Sequence, residues 1–384
     1  TLFRSAGLSA VGCAAPRTSQ WIATGATTSG ADIVLLLSNP GPTASVVSVD
    51  GFGASGRLNT APRQVTVPAG STASVLLAGW FPDESALAVH VQADGGGVAA
   101  WAQASLMNGE IPQGTTLASA SVPAPSHTIL GIDPRGTSLL RLVSPSGDAR
   151  VRVWVADSSG VHPLPGGEAT VAEGTTLDMP LDGASNDSTP IALLVTADQD
   201  VVAHATTITL GAPWAERASA WIMRANATPT TSLTEAAIPG HKQLQDAATS
   251  VLSSAPIRDT SLATESGVTA VRAHLLLYVP AQATGSAPQQ QSPAAQSGTP
   301  TTTPTPDIWS SPSPTQPQSD PAQDPQSSGT SSSTPGAVAV RVGERTVYVA
   351  PGIPTLVEAP DAAGRILAQS PIHAAIVVSA DTAV

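Results

Sequence analysis

The sequence contains little that could form covalent or metal cross-links. Cys13 is the single cysteine among 384 residues, so an internal disulfide and a cysteine-based metal cluster are both excluded. We interpret Cys13 as a free thiol in an N-terminal arm over residues 1–18. Lipidation and an intermolecular disulfide are the alternatives. The small Gly12 before it favours lipidation, whereas Ala10 stands where lipid-modified sequences prefer leucine.

Positive charge is also scarce. Lys and Arg together number 16 against 28 Asp and Glu, which gives a net charge of −12, and Lys242 is the single lysine. Phosphate backbones and anionic lipid surfaces require clustered basic residues, so nucleic acid is not expected as a partner. No apolar run is long enough for a transmembrane helix. We expect contact with a membrane only through an anchor outside this sequence.

Aromatic residues make up 3% of the chain, so its cores have to consist of Val, Leu, Ile and Ala. The 33 Gly and 35 Pro divide the apolar stretches into short runs, which is typical of β-sandwiches and barrels. We predict an all-β fold of immunoglobulin-like sandwiches that lack the Cys–Trp–Cys hallmark of antibody domains. In the first copy the pattern predicts seven strands, near 20–24, 32–38, 44–50, 63–67, 72–77, 87–92 and 97–105.

Internal repeats determine the predicted domain organisation. Residues 21–40 align without gaps with residues 261–280, and the blocks 67–79 and 88–106 align with 171–183 and 192–210 at one common offset. Such self-similarity predicts three tandem copies of one sandwich module. The predicted modules span residues 19–122, 123–224 and 261–384, and a connector over 225–260 carries a short helix at 241–253.

Residues 281–336 differ in composition from the rest. They are rich in Pro, Gln, Ser and Thr and contain neither Lys nor Arg. Such a segment buries too little apolar surface to offset its ordering entropy, so we predict a long disordered loop that interrupts the third module between a strand ending near Tyr278 and one starting near Ala337. Trp309 is its one large aromatic side chain and a candidate contact for a partner.

The motifs of common active sites are missing or lack their context. Gly51, Gly53 and Gly56 form a G-x-G-x-x-G pattern, but a strand follows where a phosphate-binding helix would be needed. Asp198 and Asp200 flank a hairpin and resemble a weak calcium site, which we interpret as a solvated turn. We assign no catalytic, cofactor-binding or metal-binding residue and expect a non-enzymatic protein. His90, His204, His274 and His373 have no metal-ligand spacing and are interpreted as half-exposed strand residues.

Aromatic side chains offer a further sequence signal for a ligand. Sugar-binding modules stack sugar rings on aromatic platforms, and Trp80, Phe81 and Trp101 are the candidate residues here. Trp101 aligns with Ala205 at the repeat offset, so this platform is not repeated. Local core packing is the competing interpretation.

The segment Pro16–Gly41, followed by VPAG at 67–70 and by ALAVHV and VAAWA, resembles a family of actinobacterial envelope proteins that carry a domain of unknown function. The resemblance implies export to the extracellular space or cell envelope, and no known activity or ligand. The expected function is therefore a structural or interaction protein of the cell envelope that contacts an envelope protein or polysaccharide. Binding of a cell-wall polymer is the alternative, and an enzyme with a dispersed site is the third hypothesis.

Overall fold

The computed structural model describes residues 11–12, 14–59, 61–108, 111–210, 222–254, 268–281 and 336–382. These residues form almost entirely β-structure with one α-helix. Cys13, Trp309 and residues 282–335 of the predicted loop lie outside the described residues. Contacts between Cα atoms divide the chain into two units, Thr1–Ala281 with Pro335–Val384, and Gln282–Thr334.

Nine strands form the first group, which we call set 1. Two sheets enclose a core of Val, Leu, Ile and Ala side chains together with Phe81. The strands are β1 (Ser19–Ala23), β2 (Ala31–Asn39), β3 (Ser45–Gly53), β4 (Gly56–Arg57), β5 (Arg63–Val67), β6 (Ser71–Leu76), β7 (Ala88–Ala93), β8 (Ala99–Asn108) and β9 (Ile111–Ser119), with a 3-10 helix at Leu77–Gly79. Sheet 1A contains β1, β3, β4, β5 and β7, in the order β1-β7-β3 with β4 and β5 both pairing with β3, and sheet 1B has the order β6-β2-β8-β9.

The seven strands predicted for this region are confirmed, and β4 and β9 are additional. The sequence of β9 contains Pro112 and Gly114, which break the apolar alternation on which strand prediction depends. A glycine is required between β7 and β8. Gly97 has φ +79°, and a Cβ there would lie 2.4 Å from the carbonyl carbon of Arg17. A side chain at position 97 would collide with the backbone of Arg17, so the turn can pack against the segment before β1 only with glycine at this position.

Seven strands form set 2. The strands are β10 (Ala124–Ile132), β11 (Thr137–Val143), β12 (Ala149–Asp157), β13 (Gly160–Val171), β14 (Thr176–Pro180), β15 (Ile191–Leu210) and β16 (Ile222–Ala227). The first half of β15 pairs with β10 and β12, and its second half pairs with β11 and β16. We call the first group, with β13, sheet 2A, and the second group, with β14, sheet 2B. The single 20-residue strand β15 thus contributes to both sheets of set 2, as β7 and β8 do separately in set 1.

Set 3 repeats this pairing with six strands. The elements are β17 (Leu233–Ile238), α1 (His241–Ser254), β18 (Val268–Tyr278), β19 (Val338–Val342), β20 (Arg345–Val349), β21 (Thr355–Glu358) and β22 (Gly364–Thr382). The first half of β22 pairs with β17 and β19, and its second half pairs with β18. Sheet 3A contains β17, β19, β20 and the first half of β22, and sheet 3B contains β18, β21 and the second half.

Residues 225–260 contain more than the predicted connector and helix. α1 spans the predicted 241–253, but β17 lies before it and pairs with β22 as β1 pairs with β7. The gapless alignment with 261–280 equates Trp21 with Ser261, which lies outside the described residues. The helix inserted between β17 and β18 explains why a gapless comparison did not find β17. No helix among the described residues is long and apolar enough to cross a membrane.

Candidate functional site

The predicted aromatic platform is not assembled. Phe81 is 2% exposed and packs inside the core of set 1, so a ligand has no access to its ring. Trp80 is half-buried against the same core and meets Phe81 edge-on, with ring centroids 6.5 Å apart. The core-packing interpretation therefore describes both side chains better than the platform does.

Trp101 lies on a different surface, the outer face of sheet 1B. It is half-buried, and its indole Nε1 donates to the carbonyl oxygen of Gly12 at 3.3 Å. Its cross-strand partner is Leu36. In sheet 2B the equivalent pair is Arg141 and His204. The structure therefore equates Trp101 with His204 rather than with Ala205, because the repeat offset changes by one residue where β15 runs on without the turn between β7 and β8.

Arg141 and His204 lie where set 2 meets set 1. The outer face of sheet 1A packs on the outer face of sheet 2B. Their contact is one buried apolar cluster of Trp21, Ala23, Phe52 and Ala88 from sheet 1A with Val143 and Val202 from sheet 2B.

His204 is a buried polar link in this contact, 1% exposed, which corrects its interpretation as a half-exposed strand residue. The backbone N–H of Ala23 donates to its Nδ1 at 3.2 Å, so the ring proton resides on Nε2, which lies 2.9 Å from the hydroxyl of Ser121. Burial, with smaller contributions from His127 and Arg141, lowers the pKa of His204 to about 3. The neutral ring fits the site and the charged ring does not.

Arg141 is the second polar link. Its Nε and Nη2 donate to both carboxylate oxygens of Asp178, its cross-strand neighbour, at 2.6 and 2.7 Å. Its Nη1 donates across the contact to the carbonyl oxygens of Gly25 at 2.5 Å and Leu87 at 3.2 Å. A guanidinium with five donors in a fixed fork can serve a carboxylate and backbone carbonyls simultaneously. Sequence reasoning missed Arg141, since one Arg on a strand carries no signal for such a role.

Set 3 is joined to set 2 through the same kinds of face. The outer face of sheet 2A packs on the outer face of sheet 3B. The hydroxyl of Thr230 lies 2.9 Å from Nδ1 of His373 and donates to the carbonyl oxygen of Thr128 at 3.0 Å. Burial lowers the pKa of His373. The apolar cluster here consists of Leu130, Ala156, Ala192, Leu276 and Tyr278.

His90 and His274 are half-buried strand residues, in agreement with the prediction. His90 stacks on Trp21, with ring centroids 4.5 Å apart and planes inclined by 9°, and its Nε2 lies 2.8 Å from the hydroxyl of Ser19. Burial is the main cause that lowers the pKa of His90.

One cluster combines aspartate, histidine and serine at the end of β12. Burial acts to raise the pKa of Asp157, but hydrogen bonds from Ser159, Ser185 and His162 outweigh it and hold that pKa well below its usual range. Both serine hydroxyls donate to Asp157, at 2.6 Å each, and His162 lies 3.1 Å from it. A nucleophilic serine needs a hydrogen bond to the histidine rather than to the aspartate. This arrangement ties down a turn.

Asp198 and Asp200 lie within the continuous strand β15 rather than beside a hairpin, and Oδ1 of Asp198 accepts the backbone N–H of Arg150 at 2.7 Å. Among the described residues no group of three or more His, Cys, Asp or Glu could hold a metal ion. The G-x-G-x-x-G segment forms the β3–β4 hairpin, as its interpretation as a glycine-rich loop requires.

The model of the family of unknown function DUF5719 matches residues 4–301. The chain belongs to this family. No curated protein matches this chain. The crystal structure of Thermotoga maritima 1070 aligns at 15% identity over 27% of this chain and 92% of that chain, with a TM-score of 0.21. A superposition of that quality supports no argument about fold or function.

Proposed function

We propose that this protein is a non-enzymatic, rigid scaffold of the bacterial cell envelope, built from three tandem immunoglobulin-like sandwich modules. Sets 1, 2 and 3 are the modules, and the segment 282–334 interrupts the sequence of the third. The resemblance of Pro16–Gly41 to actinobacterial envelope proteins supports export and an actinobacterial source.

The observation that carries the proposal is that set 2 uses both of its outer sheet faces for its neighbours. Its sheet 2B buries Val143, Val202 and His204 against set 1, and its sheet 2A buries Ala156 and Ala192 against set 3. Modules that move relative to one another expose their facing surfaces to water and are joined by linkers. Modules that stack face to face hold a fixed distance between their ends, which is the property of a spacer.

Calorimetry of the intact chain and of a chain lacking 282–334 tests the rigidity. We expect one cooperative unfolding transition in both proteins, because the unfolding of one module would expose the buried faces of its neighbours to water. Separate transitions for the modules would contradict a rigid scaffold. Cell fractionation tests the location. We expect the protein in envelope and medium fractions, and recovery from the cytosol alone would contradict the envelope role.

Binding of an envelope polysaccharide is the second candidate. The surface that favours it is the outer face of sheet 3A, and not the buried ring of Phe81.

A further inference from the structure

Sheet 3A occupies the position that sheets 1A and 2A occupy in their sets, but its outer face carries different residues. On sheets 1A and 2A these faces present Trp21, Phe52, Leu130 and Ala192, which are buried against the next set. On sheet 3A one cross-strand row consists of Thr346, Arg341, Leu367 and Glu235. All four side chains are exposed. The outer face of sheet 3A is therefore polar, unlike those of sheets 1A and 2A.

The face is shaped as well as polar. A groove of about 270 Å³ is lined by Ala339, Arg341, Thr346, Leu367, Ala368 and Gln369. This volume is near the lower end of small-molecule clefts, roughly 300 Å³. The small side chain of Ala339 opens the groove, and its cross-strand partner Tyr348 is 62% exposed at the edge strand. A flat ring therefore stands beside a depression.

The charged side chains of this face are not all paired with an opposite charge among the described residues. Arg365 is paired with Glu235. Arg341 donates through Nε to the carbonyl oxygen of Gly343 at 3.0 Å, and no carboxylate among the described residues forms an ion pair with it. Glu344 is exposed in the adjacent β19–β20 turn. A guanidinium that has no carboxylate partner among the described residues and lies on an open groove is suited to an external carboxylate.

We propose that this outer face of sheet 3A, formed by Arg341, Thr346, Tyr348 and Gln369 around Ala339, binds a carboxylate-bearing polysaccharide. The sugar ring stacks on Tyr348, the carboxylate pairs with Arg341, and the hydroxyls exchange hydrogen bonds with Thr346 and Gln369. An aromatic face with few polar groups placed around it is the usual composition of such a site. Binding at this site gives the scaffold a ligand and does not require that sets 1, 2 and 3 stack rigidly.

The test uses the full chain and polygalacturonate as the acidic probe, with its methyl ester as the uncharged probe of equal backbone. Titration calorimetry is done at about 0.15 M salt, where the Debye length is about 8 Å and the net charge of the protein is screened beyond the groove. We expect binding of polygalacturonate and at least tenfold weaker binding of the ester. Arg341→Gln and Tyr348→Ala are each expected to weaken binding of the acid about tenfold, and the ester should not respond to Arg341→Gln.

Leu76→Ala is the matched control, since Leu76 is 52% exposed on sheet 1B, at the other end of the stack. It should bind as the natural chain does. The proposal is overturned if polygalacturonate does not bind, if the ester binds equally well, or if both groove variants bind normally. Dimerisation that is lost in Tyr348→Ala, measured by analytical ultracentrifugation, would also overturn it, because a second copy would then cover the face. The calorimetric transitions of the scaffold test are unaffected by any of these outcomes.

Discussion

The imidazole Nδ1 of His204 accepts a hydrogen bond from the backbone N–H of Ala23, 181 residues earlier in the chain. The bond joins set 2 to set 1 inside a surface that excludes water, and it requires a neutral ring. Stability of the stack should therefore depend on pH in a range where most proteins are stable.

The first prediction concerns acid. The folded-state pKa of His204 is about 3 and its ordinary value is 6.5. Below pH 6.5 the unfolded chain takes up a proton that the folded chain does not, so stability is full above this pH and falls as the pH drops towards 3. The slope for one such group approaches about 1.4 kcal/mol per pH unit. Urea unfolding between pH 7.5 and 5 measures it.

His204→Gln is the control for this slope, because glutamine retains a hydrogen-bond acceptor but does not titrate. Burial also lowers the pKa values of His90, His127 and His373, so part of the slope will persist in the variant. An identical slope in both proteins would show that His204 is not the buried neutral link.

The second prediction concerns Arg141. Arg141→Met removes the donors to Gly25 and Leu87 and leaves the carboxylate of Asp178 without its partner. We expect a loss of roughly 3 kcal/mol in the free energy of unfolding, as for other broken buried pairs. Arg152→Met is the matched control, since Arg152 and Glu168 are 68% and 79% exposed, and it should cost at most about 1 kcal/mol. Equal effects of the two substitutions would refute the role of Arg141.

The third prediction concerns Gly51. A Cβ at this position would lie 2.6 Å from the ring of Phe81, which is itself fixed in the core. Gly51→Ala should therefore destabilise the protein by about 1–3 kcal/mol through overpacking. Gly96→Ala has no atom within 4 Å of the new Cβ and should be nearly neutral. Thermal unfolding of both variants tests whether glycine is needed at position 51, the first position of the G-x-G-x-x-G pattern, for packing against Phe81 rather than for ligand binding.

The fourth prediction concerns the contact between sets 2 and 3. Leu276 is 1% exposed and packs against Leu130 and Ala192. Leu276→Arg places an unpaired charge in that contact, and we expect a loss of at least about 3 kcal/mol together with a larger radius of gyration in X-ray scattering. Leu76→Arg on the exposed strand β6 should change stability by about 0.5 kcal/mol or less. An unchanged radius and melting temperature in Leu276→Arg would mean that the two sets do not stack there in solution.

Strands could be predicted where local alternation is regular. In β12 buried and exposed residues alternate from Ala149 to Trp154, and in set 1 every predicted strand is present. Prediction failed where the signal is not local. β17 is separated from β18 by a helix, and β9 contains Pro112 and Gly114.

Prediction of the candidate site was less successful, for a related reason. The aromatic residues Trp80, Phe81 and Trp101 carried the sequence signal, but Phe81 fills a core. Arg141, His204 and Arg341 are single polar residues on strands, and a strand pattern does not distinguish a face that meets water from one that meets another sheet.

The all-β character, the largely aliphatic cores, the repetition of strands and the exclusion of an internal disulfide could be predicted from the sequence, because each follows from composition or from patterns along the chain. Which outer faces are buried and which stay open depends on how whole sheets pack on one another. Gly25 and Arg141 meet across 116 residues, and Ala23 and His204 across 181. Alternation along a strand specifies two faces, but the partner of each outer face is selected by shape and hydrogen bonding between segments that are remote in sequence.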